Sequence, residues 1–284
     1  MAELLKEQYR VLKALASSDL AGRRVAKLVS EMAKHSREVL GRFGRINYTS
    51  DVPGKRYFGF RGDVDSRPVN CSLYVEDDSE FDSLLGSFRH GFHNSPASEI
   101  VKAVYTIAYG VFTANDVNDV GRKASATFFE ILIGHIVART LGISPRRKVR
   151  VPETGADLPT DYVFDFGHKK RKIHLPIKTS TRERGVQAWV HQLVLDRIFG
   201  DDVYRGVLVV AAETKRDAKT GVIIEICVPQ QLQMFQARVA KITRVYYLDP
   251  PEVYLNLDKG EELNPIHVRS FGAAIEELPS LVRA

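Results

Sequence analysis

The fold is decided by residues 159–184, which read PTDYVFDFGHKKRKIHLPIKTSTRER. Two strand-like runs, at 162–166 and 172–179, flank a basic turn that begins with glycine, and this pattern predicts a β-hairpin. We expect Asp161 to open the first strand and Lys178 to lie near the end of the second. An antiparallel hairpin can bring both side chains to the same end of a sheet.

A carboxylate and an ammonium group held close together suit the hydrolysis of phosphodiesters. The carboxylate can hold a divalent cation against the phosphate, and the cation lowers the pKa of a bound water. The lysine can orient or help to deprotonate that water, and it offsets charge in the transition state. Mg²⁺ prefers few carboxylates together with waters and substrate oxygens. We therefore predict Mg²⁺ as the cofactor, with Asp161 as a ligand and Asp161 and Lys178 as catalytic residues.

The helix predicted over 125–141 contains a candidate for a second acid that could bind the metal. Glu130 interrupts the apolar run at 128–132, and a buried carboxylate is costly unless it is paired or bound to metal. Taken alone, this glutamate would be assigned to the rim of the helix. Because a helix precedes the hairpin in this order, we interpret Glu130 as a second catalytic and metal-binding residue.

The elements around the hairpin follow the order α-β-β-β-α-β. Beyond the helix at 125–141, the pattern predicts strands at 148–151, 162–166 and 172–179, a helix at 181–199 and a strand at 204–212. This order is typical of an α/β (α+β) fold, with a mixed central sheet flanked by helices. Further strands are expected at 221–228, 244–248 and 253–257, the last two at sheet edges, and a closing helix at 271–278. Within the helix at 181–199, Trp189 is expected to lie in the core, and Val186 and Val190 to pack on the sheet.

The chain is predicted to divide into a mainly helical N-terminal region, 1–120, and a catalytic domain, 121–284. Helices are expected at 4–15, 21–43, 80–88 and 97–112, the last of them apolar on nearly all sides and therefore buried in the core or in a subunit interface. Residues 44–79 are expected to be irregular, because proline and glycine recur there. Their basic and aromatic residues would suit a DNA-contacting loop, and an ordinary surface loop explains them equally well.

The composition is that of a soluble globular protein with a basic balance. Hydrophobic residues make up 44% and charged residues 27%, and the formal net charge is +6. A positive charge favours polyanionic partners. The two cysteines lie far apart, which argues against a disulfide framework and a cysteine-based zinc site. No signal peptide or membrane span is visible in the sequence, so we expect a cytoplasmic protein with no membrane partner.

The element order, with an acid on the second strand and a lysine on the third, resembles the PD-(D/E)XK nucleases, and in particular the type II restriction enzymes. Pro159-Thr160-Asp161 resembles the Pro-Asp element, and Pro176-Ile177-Lys178 resembles the (D/E)-X-K element. Pro176 departs from the pattern, because it stands where the family usually has an acid. The branch that cuts CCGG or CCNGG-type sites has a non-acidic residue there and takes an acid from the following helix.

The resemblance also implies the position of that helix acid and a set of DNA contacts. The acid is expected near His191 or Gln192, neither of which is acidic. The nearest candidates are Asp196 and Glu183, of which Glu183 is assigned to base reading, and Asp157 and Asp165 stay open as substitute ligands. In the same branch, an Arg-Asp/Glu-Arg cluster after the lysine reads C·G pairs, and this chain has Arg182, Glu183 and Arg184 at that spacing. Glu183 also fits a capping box with Ser180.

Basic residues in the hairpin turn are candidates for contacts with the DNA backbone. Lys169 and Lys170 lie in this turn, and lysines at such a place can position a duplex without reading its sequence. A solvated turn explains them equally well.

The resemblance implies that this chain is a type II restriction endonuclease that depends on Mg²⁺. Its expected substrate is double-stranded DNA with a short palindromic site that contains C·G pairs. It would act as a homodimer, because a palindrome presents the same site on both strands. A cognate DNA methyltransferase would be expected as its genetic partner. The alternatives are a repair or junction-resolving nuclease of the same fold and a catalytically inactive DNA-binding protein.

Overall fold

A computed structural model describes residues 2–167, 170–182, 185–258 and 265–283. The α-helices of these residues are α1 (Ala2–Ser18), α2 (Arg23–Leu40), α3 (Asp78–His90), α4 (Ala97–Val117), α5 (Arg122–Leu141), α6 (Gly185–Phe199), α7 (Pro229–Arg238), α8 (Glu252–Leu255) and α9 (Ala274–Leu281). The strands are β1 (Gly44–Tyr48), β2 (Tyr57–Arg61), β3 (Val69–Asn70), β4 (Arg146–Arg150), β5 (Asp157–Phe164), β6 (Lys172–Leu175), β7 (Ile177–Lys178), β8 (Tyr204–Ala212), β9 (Thr214–Arg216), β10 (Ile223–Glu225), β11 (Ile242–Asp249) and β12 (Val268–Ser270).

The described residues fall into two compact units. The first lies within residues 1–135 and 214–226, and the second within 136–213 and 227–284. The units therefore divide inside α5 and not at residue 120, and the β9–β10 hairpin belongs to the first unit.

The first unit combines α1 to α4 with a small antiparallel sheet in the order β1-β2-β3. As expected from its apolar surface, α4 is buried along most of its length. The expectation that 44–79 is irregular is wrong, because this segment forms the sheet. Gly59, taken as a breaker, lies within β2, where a Cβ atom would come within 2.6 Å of the Tyr48 ring. The glycine is required by this close approach and does not end the strand.

The second unit is built on a mixed sheet, as predicted. Its strands follow the order β12-β11-β8-β6-β5-β4, and β7 also pairs with β8. Strand β8 runs parallel to β6, β7 and β11, whereas β5 runs antiparallel to β4 and β6. The hairpin β5–β6 is therefore joined to the rest of the sheet through β8.

Three late strands were predicted wrongly in place or type. Residues 244–248 lie in β11, which is flanked by β8 and β12 and is not an edge strand. Residues 223–225 form β10, which pairs with β9 in a separate two-stranded sheet. Residues 253–257 begin in α8 instead of a strand, because the proline pair at 250–251 ends β11 and Pro251 precedes the first helical turn.

Among the described residues, one helical stretch is long and apolar enough to cross a membrane by length and composition. It is Lys123–Leu141 in α5, and most of it is buried inside the structure. The core helix of a soluble protein has the same properties.

Trp189 anchors α6 on the sheet of the second unit. Its side chain is fully buried among Leu208, Val210 and Tyr247, so the prediction that it belongs to the core is confirmed. The expectation that Val186 and Val190 also pack on the sheet is wrong, since they are 39% and 43% exposed. The contact face of α6 is formed instead by residues at helical spacing from Trp189.

Trp189→Ala should lower the free energy of unfolding by about 3–5 kcal/mol, because it removes a large buried side chain and leaves a cavity. Val190→Ala on the same helix is the control and should change it by less than about 0.5 kcal/mol. Urea denaturation followed by far-UV circular dichroism measures both variants. Equal effects of the two substitutions would contradict this account of α6.

Candidate active site

Asp161 and Lys178 meet on the hairpin. Tyr162 on β5 pairs with Leu175 on β6, and one further step along this register places Asp161 opposite Pro176. The Asp161 Oδ2 atom accepts hydrogen bonds from Lys178 Nζ at 2.9 Å and from the Ile177 backbone N–H at 2.8 Å. The two side chains are 22% and 18% exposed. The structure thus brings the predicted acid and lysine together at a partly open place on the sheet.

Pro176 shapes this contact. The second strand, predicted as continuous over 172–179, is interrupted between β6 and β7, since proline has no N–H to donate. Its carbonyl accepts from Val209 N at 3.0 Å, and the next two residues pair with β8. The Ile177 N–H is then directed to the Asp161 side chain. Asp161 itself lies within β5 and does not open it, because β5 starts earlier than predicted.

Asp157 and Asp165, the possible substitute ligands, are each paired with a lysine. Asp157 is paired with Lys148 at 2.7 Å, and Asp165 is paired with Lys172 at 2.8 Å. Their assignment as substitute ligands stays a prediction.

His174 lies buried beneath α6 and is held by Gln192. Its Nδ1 atom lies 3.1 Å from Gln192 Oε1, and Gln192 Nε2 donates to Asp196 Oδ1 and to the Tyr204 carbonyl. Because an amide oxygen can only accept, Nδ1 carries the proton. A Cβ atom at Gly206 would lie 2.8 Å from Gln192 Oε1, so glycine leaves room for this amide. His174 is thus held in the core by a hydrogen bond to a side chain of α6.

His191 stands where the resemblance implied an acid. It is half-buried on α6, and its ring centroid is 6.2 Å from that of His174. Burial lowers the pKa of His191, and the positive charge of Lys178 lowers it further, while Asp161 acts in the opposite direction. This position therefore offers an imidazole in the field of the Asp161–Lys178 pair and no carboxylate.

The predicted DNA-contacting residues are only partly described. Lys169, Glu183 and Arg184 lie outside the described residues. Lys170 is exposed in the hairpin turn. Arg182 is exposed, and its Nη1 atom donates to the Glu213 carbonyl at 3.2 Å.

Ser180 does not stand at the start of a described helix, and Glu183, its proposed partner in a capping box, lies outside the described residues. Helix α6 begins at Gly185, and residues 181 and 182 are not helical. Ser180 Oγ instead accepts a hydrogen bond from the Arg182 backbone N–H at 3.3 Å. Ser180 therefore closes a local turn before the helix.

Two further basic residues near the hairpin, Arg171 and Arg147, contact other side chains of the fold. Arg171 pairs with Asp202 at 2.6 Å, and the Arg147 guanidinium lies 5.0 Å from the centre of the Tyr162 ring. The remaining candidate, Glu130, lies half-buried on α5 within the first unit. Its assignment to metal binding stays a prediction.

The residues around Asp161 fit a sparsely coordinated Mg²⁺ ion. Within the part of the chain that the structure describes, no group of three or more histidine, cysteine or acidic side chains could hold a metal. Asp161 Oδ2 accepts both hydrogen bonds described above, and among the same residues Oδ1 accepts none. A single carboxylate oxygen with waters and substrate oxygens suits Mg²⁺ and does not suit zinc, which takes three or four protein ligands.

A hairpin with an acid and a lysine, set in an α-β-β-β-α-β core, defines the restriction-endonuclease-like fold. The predicted fold class is confirmed by a search of solved structures. The chain is similar to the type IIP restriction endonuclease Kpn2I, with a TM-score of 0.84, 25% identity, and coverage of 99% of this chain and 97% of that one. A complex of the restriction endonuclease PspGI with substrate DNA aligns with a TM-score of 0.43 and 14% identity, over 74% of this chain and 84% of that one. No family model and no curated protein matches the sequence.

His174 should make the stability of the protein fall in acid. Burial lowers its pKa to about 4 from the ordinary 6.5, so the unfolded chain binds a proton more readily than the folded one. The stabilising contribution is complete above pH 6.5 and is lost as the pH falls from there towards 4. The loss amounts to about 3 kcal/mol.

His174→Asn keeps a donor towards Gln192 and cannot titrate, so its free energy of unfolding should depend less on pH in this range. Urea denaturation at several pH values between 7 and 4 measures the slope. His90→Asn, at an exposed histidine, is the control and should retain the wild-type slope. If the free energy of unfolding has the same pH dependence in His174→Asn and in wild type, the lowered pKa of His174 is not the cause of the loss of stability in acid.

Proposed function

We propose that this chain is a type II restriction endonuclease, which hydrolyses phosphodiester bonds of double-stranded DNA with Mg²⁺ at a short palindromic site containing C·G pairs. The observation that carries the proposal is the Asp161–Lys178 pair, with 2.9 Å between Oδ2 and Nζ. This pair lies in a fold shared over 99% of the chain with a type IIP restriction endonuclease. That likeness supports a sequence-specific DNA nuclease.

In the proposed reaction, Lys178 and Asp161 have different roles. The Lys178 ammonium donates to a non-bridging oxygen of the scissile phosphate and to the attacking water, which offsets charge as the transition state forms. Asp161 holds the ammonium in place through Oδ2 and offers Oδ1 to the cation. Bound Mg²⁺ would polarise the phosphoryl oxygen and lower the pKa of its water. Glu130 is proposed as the second protein ligand.

DNA recognition is assigned to the segment that follows β7. Arg182 and Arg184 are proposed to read guanines, since arginine can bind O6 and N7 together, and Glu183 to accept from cytosine N4. Lys169 and Lys170 are proposed to contact phosphates, in keeping with the net charge of +6. A homodimer would cut both strands of the palindrome, and a methyltransferase gene would protect the host DNA.

A DNA-binding protein that has lost its chemistry is the second candidate. It is favoured by Pro176 and His191, since the related enzymes have acids at one or the other place. Cleavage separates the two candidates, because an inactive protein would bind DNA and cut none with any divalent cation. A repair or junction-resolving nuclease of the same fold would cut without a fixed sequence and give no reproducible bands.

Lys178→Ala should reduce the rate of plasmid cleavage in Mg²⁺ by about 10²-fold or more, because it removes the charge next to the scissile phosphate. Wild type should yield discrete fragments with Mg²⁺ and none with EDTA. Lys172→Ala is a matched control, since Lys172 pairs with Asp165 at 2.8 Å with the same 18% exposure. Lys172 lies at the other end of the hairpin, so the cleavage rate of the Lys172→Ala variant should stay within about threefold of the wild-type rate. A Lys178→Ala variant as fast as wild type would overturn the mechanism.

Substitutions of Arg182 and Lys170 should have different effects, because Arg182 is proposed to contact bases and Lys170 to contact the DNA backbone. Arg182→Ala should weaken binding to the cognate site by about 1–3 kcal/mol and relax specificity at one position of that site. Lys170→Ala should weaken binding evenly across sequences and lower the salt dependence of the binding constant by about one unit of slope. Fluorescence anisotropy with cognate and altered duplexes at several salt concentrations measures both. The reverse pattern would contradict the assignment of these two residues.

A further inference from the structure

Glu213 is a fully buried acid outside the catalytic pair. It is the first residue after β8, and its relative exposure is 0%. Its Oε1 atom accepts three hydrogen bonds, from Thr181 N at 2.9 Å, Thr181 Oγ1 at 2.7 Å and Tyr247 OH at 2.9 Å. The other oxygen, Oε2, has no hydrogen-bond partner among the described residues.

Burying a carboxyl group in this environment costs free energy, and its hydrogen-bond donors here are neutral groups. Burial raises the pKa of Glu213, and the hydrogen bonds from Thr181 and Tyr247 oppose that shift only in part. An apolar side chain would avoid the cost of burying a carboxylate. Stability of the core therefore does not account for an acid here, and its partners indicate another role.

One of those partners, Thr181, belongs to the segment that follows β7, whereas Tyr247 lies on β11. The pairing of β7 with β8 extends one residue further, because Ala212 N donates to the Thr179 carbonyl at 3.2 Å. Glu213 then holds the next two residues: its side chain accepts from the Thr181 backbone N–H and hydroxyl, and its backbone carbonyl accepts from the Arg182 side-chain Nη1 atom at 3.2 Å. Thr181 is itself buried, whereas Arg182 is exposed. One residue thus fixes the point from which the chain turns outward to Arg182.

We propose that Glu213 is a positioning residue for DNA recognition, which holds Thr181 and Arg182 so that Arg182 meets a base edge in one fixed geometry. This inference rests on the proposed function of that segment. A bidentate contact between a side chain and a base depends on planar alignment. A segment that has lost its anchor would bind correct and altered sites with less difference between them.

The test uses the cognate site obtained by sequencing the ends of wild-type plasmid fragments. Duplexes carrying that site and each single base-pair change are cleaved by wild type and by Glu213→Ala, and the ratio of kcat/KM for cognate and altered duplexes is compared. Glu213→Ala should lower this ratio by about tenfold, the value of one base contact. Glu213→Gln keeps an acceptor for Thr181 and Tyr247, so this variant should retain most of the wild-type ratio of kcat/KM between cognate and altered duplexes.

Tyr247→Phe is the matched control, because it removes one hydrogen bond to the same oxygen from the core side and leaves Thr181 in place. It should lower thermal stability and retain the wild-type ratio. A merely structural role for Glu213 would reduce kcat/KM equally on every duplex, and that result would overturn the proposal. Thr181→Val serves if Glu213→Ala does not fold, and it should lower the ratio by about threefold, since one of the two bonds to the segment remains.

Amide hydrogen exchange tests whether Glu213 holds this segment, and the measurement does not depend on DNA cleavage. Peptides covering residues 178–188 should exchange faster in Glu213→Ala than in wild type, because their anchoring hydrogen bonds are lost. Unchanged exchange would refute the anchor, whatever the activity of the enzyme. If wild type neither cuts nor selectively binds DNA, the proposed function fails and the recognition role of Glu213 fails with it, while faster exchange would still establish the anchor.

Discussion

The ion pair between Asp161 and Lys178 depends on the register of one hairpin. Successive side chains on a strand point to opposite faces, so a slip of one residue between β5 and β6 would place the acid and the lysine on different sides of the sheet. The register is held by the core. Val163, which pairs with His174, packs against Leu195 of α6, and His174 is buried under the same helix. The geometry of this candidate site is therefore a consequence of packing that lies outside the site.

Strand β8 links this geometry to the proposed recognition segment. It pairs with β6 and β7, so it supports both halves of the strand that Pro176 divides. At Gly206 it makes room for the amide that holds His174, and directly after its last residue Glu213 holds Thr181. One buried strand thus supports Lys178, which pairs with Val210 two residues before the end of β8, and the start of the proposed recognition segment directly after that end, so the two are placed by the same element.

Much of this fold follows from local sequence patterns, and the remainder depends on contacts between distant residues. The hairpin, β8 and the core position of Trp189 could be predicted because apolar periodicity and turn glycines act over a few residues. The sheet at 44–61 was missed because Gly59 is explained only by Tyr48, which lies across the strand pair. The role of Glu213 was also missed, since Thr181 lies 32 residues away in sequence. The available signal was an acid directly after the apolar run at 207–212.

The hairpin carries two Asp–Lys pairs, and their hydrogen bonds explain why only one is a candidate for chemistry. In the pair at the turn, Asp165 uses both oxygens, Oδ2 for Lys172 and Oδ1 for the Gly167 N–H. In the other pair, Asp161 takes both of its donors on Oδ2. Among the described residues, Oδ1 of Asp161 is thus left to accept a cation. Because the residue types, distances and exposures of the two pairs are nearly the same, composition does not distinguish them. The difference arises at Pro176, whose interruption of the strand directs the Ile177 N–H onto the oxygen that already binds the lysine.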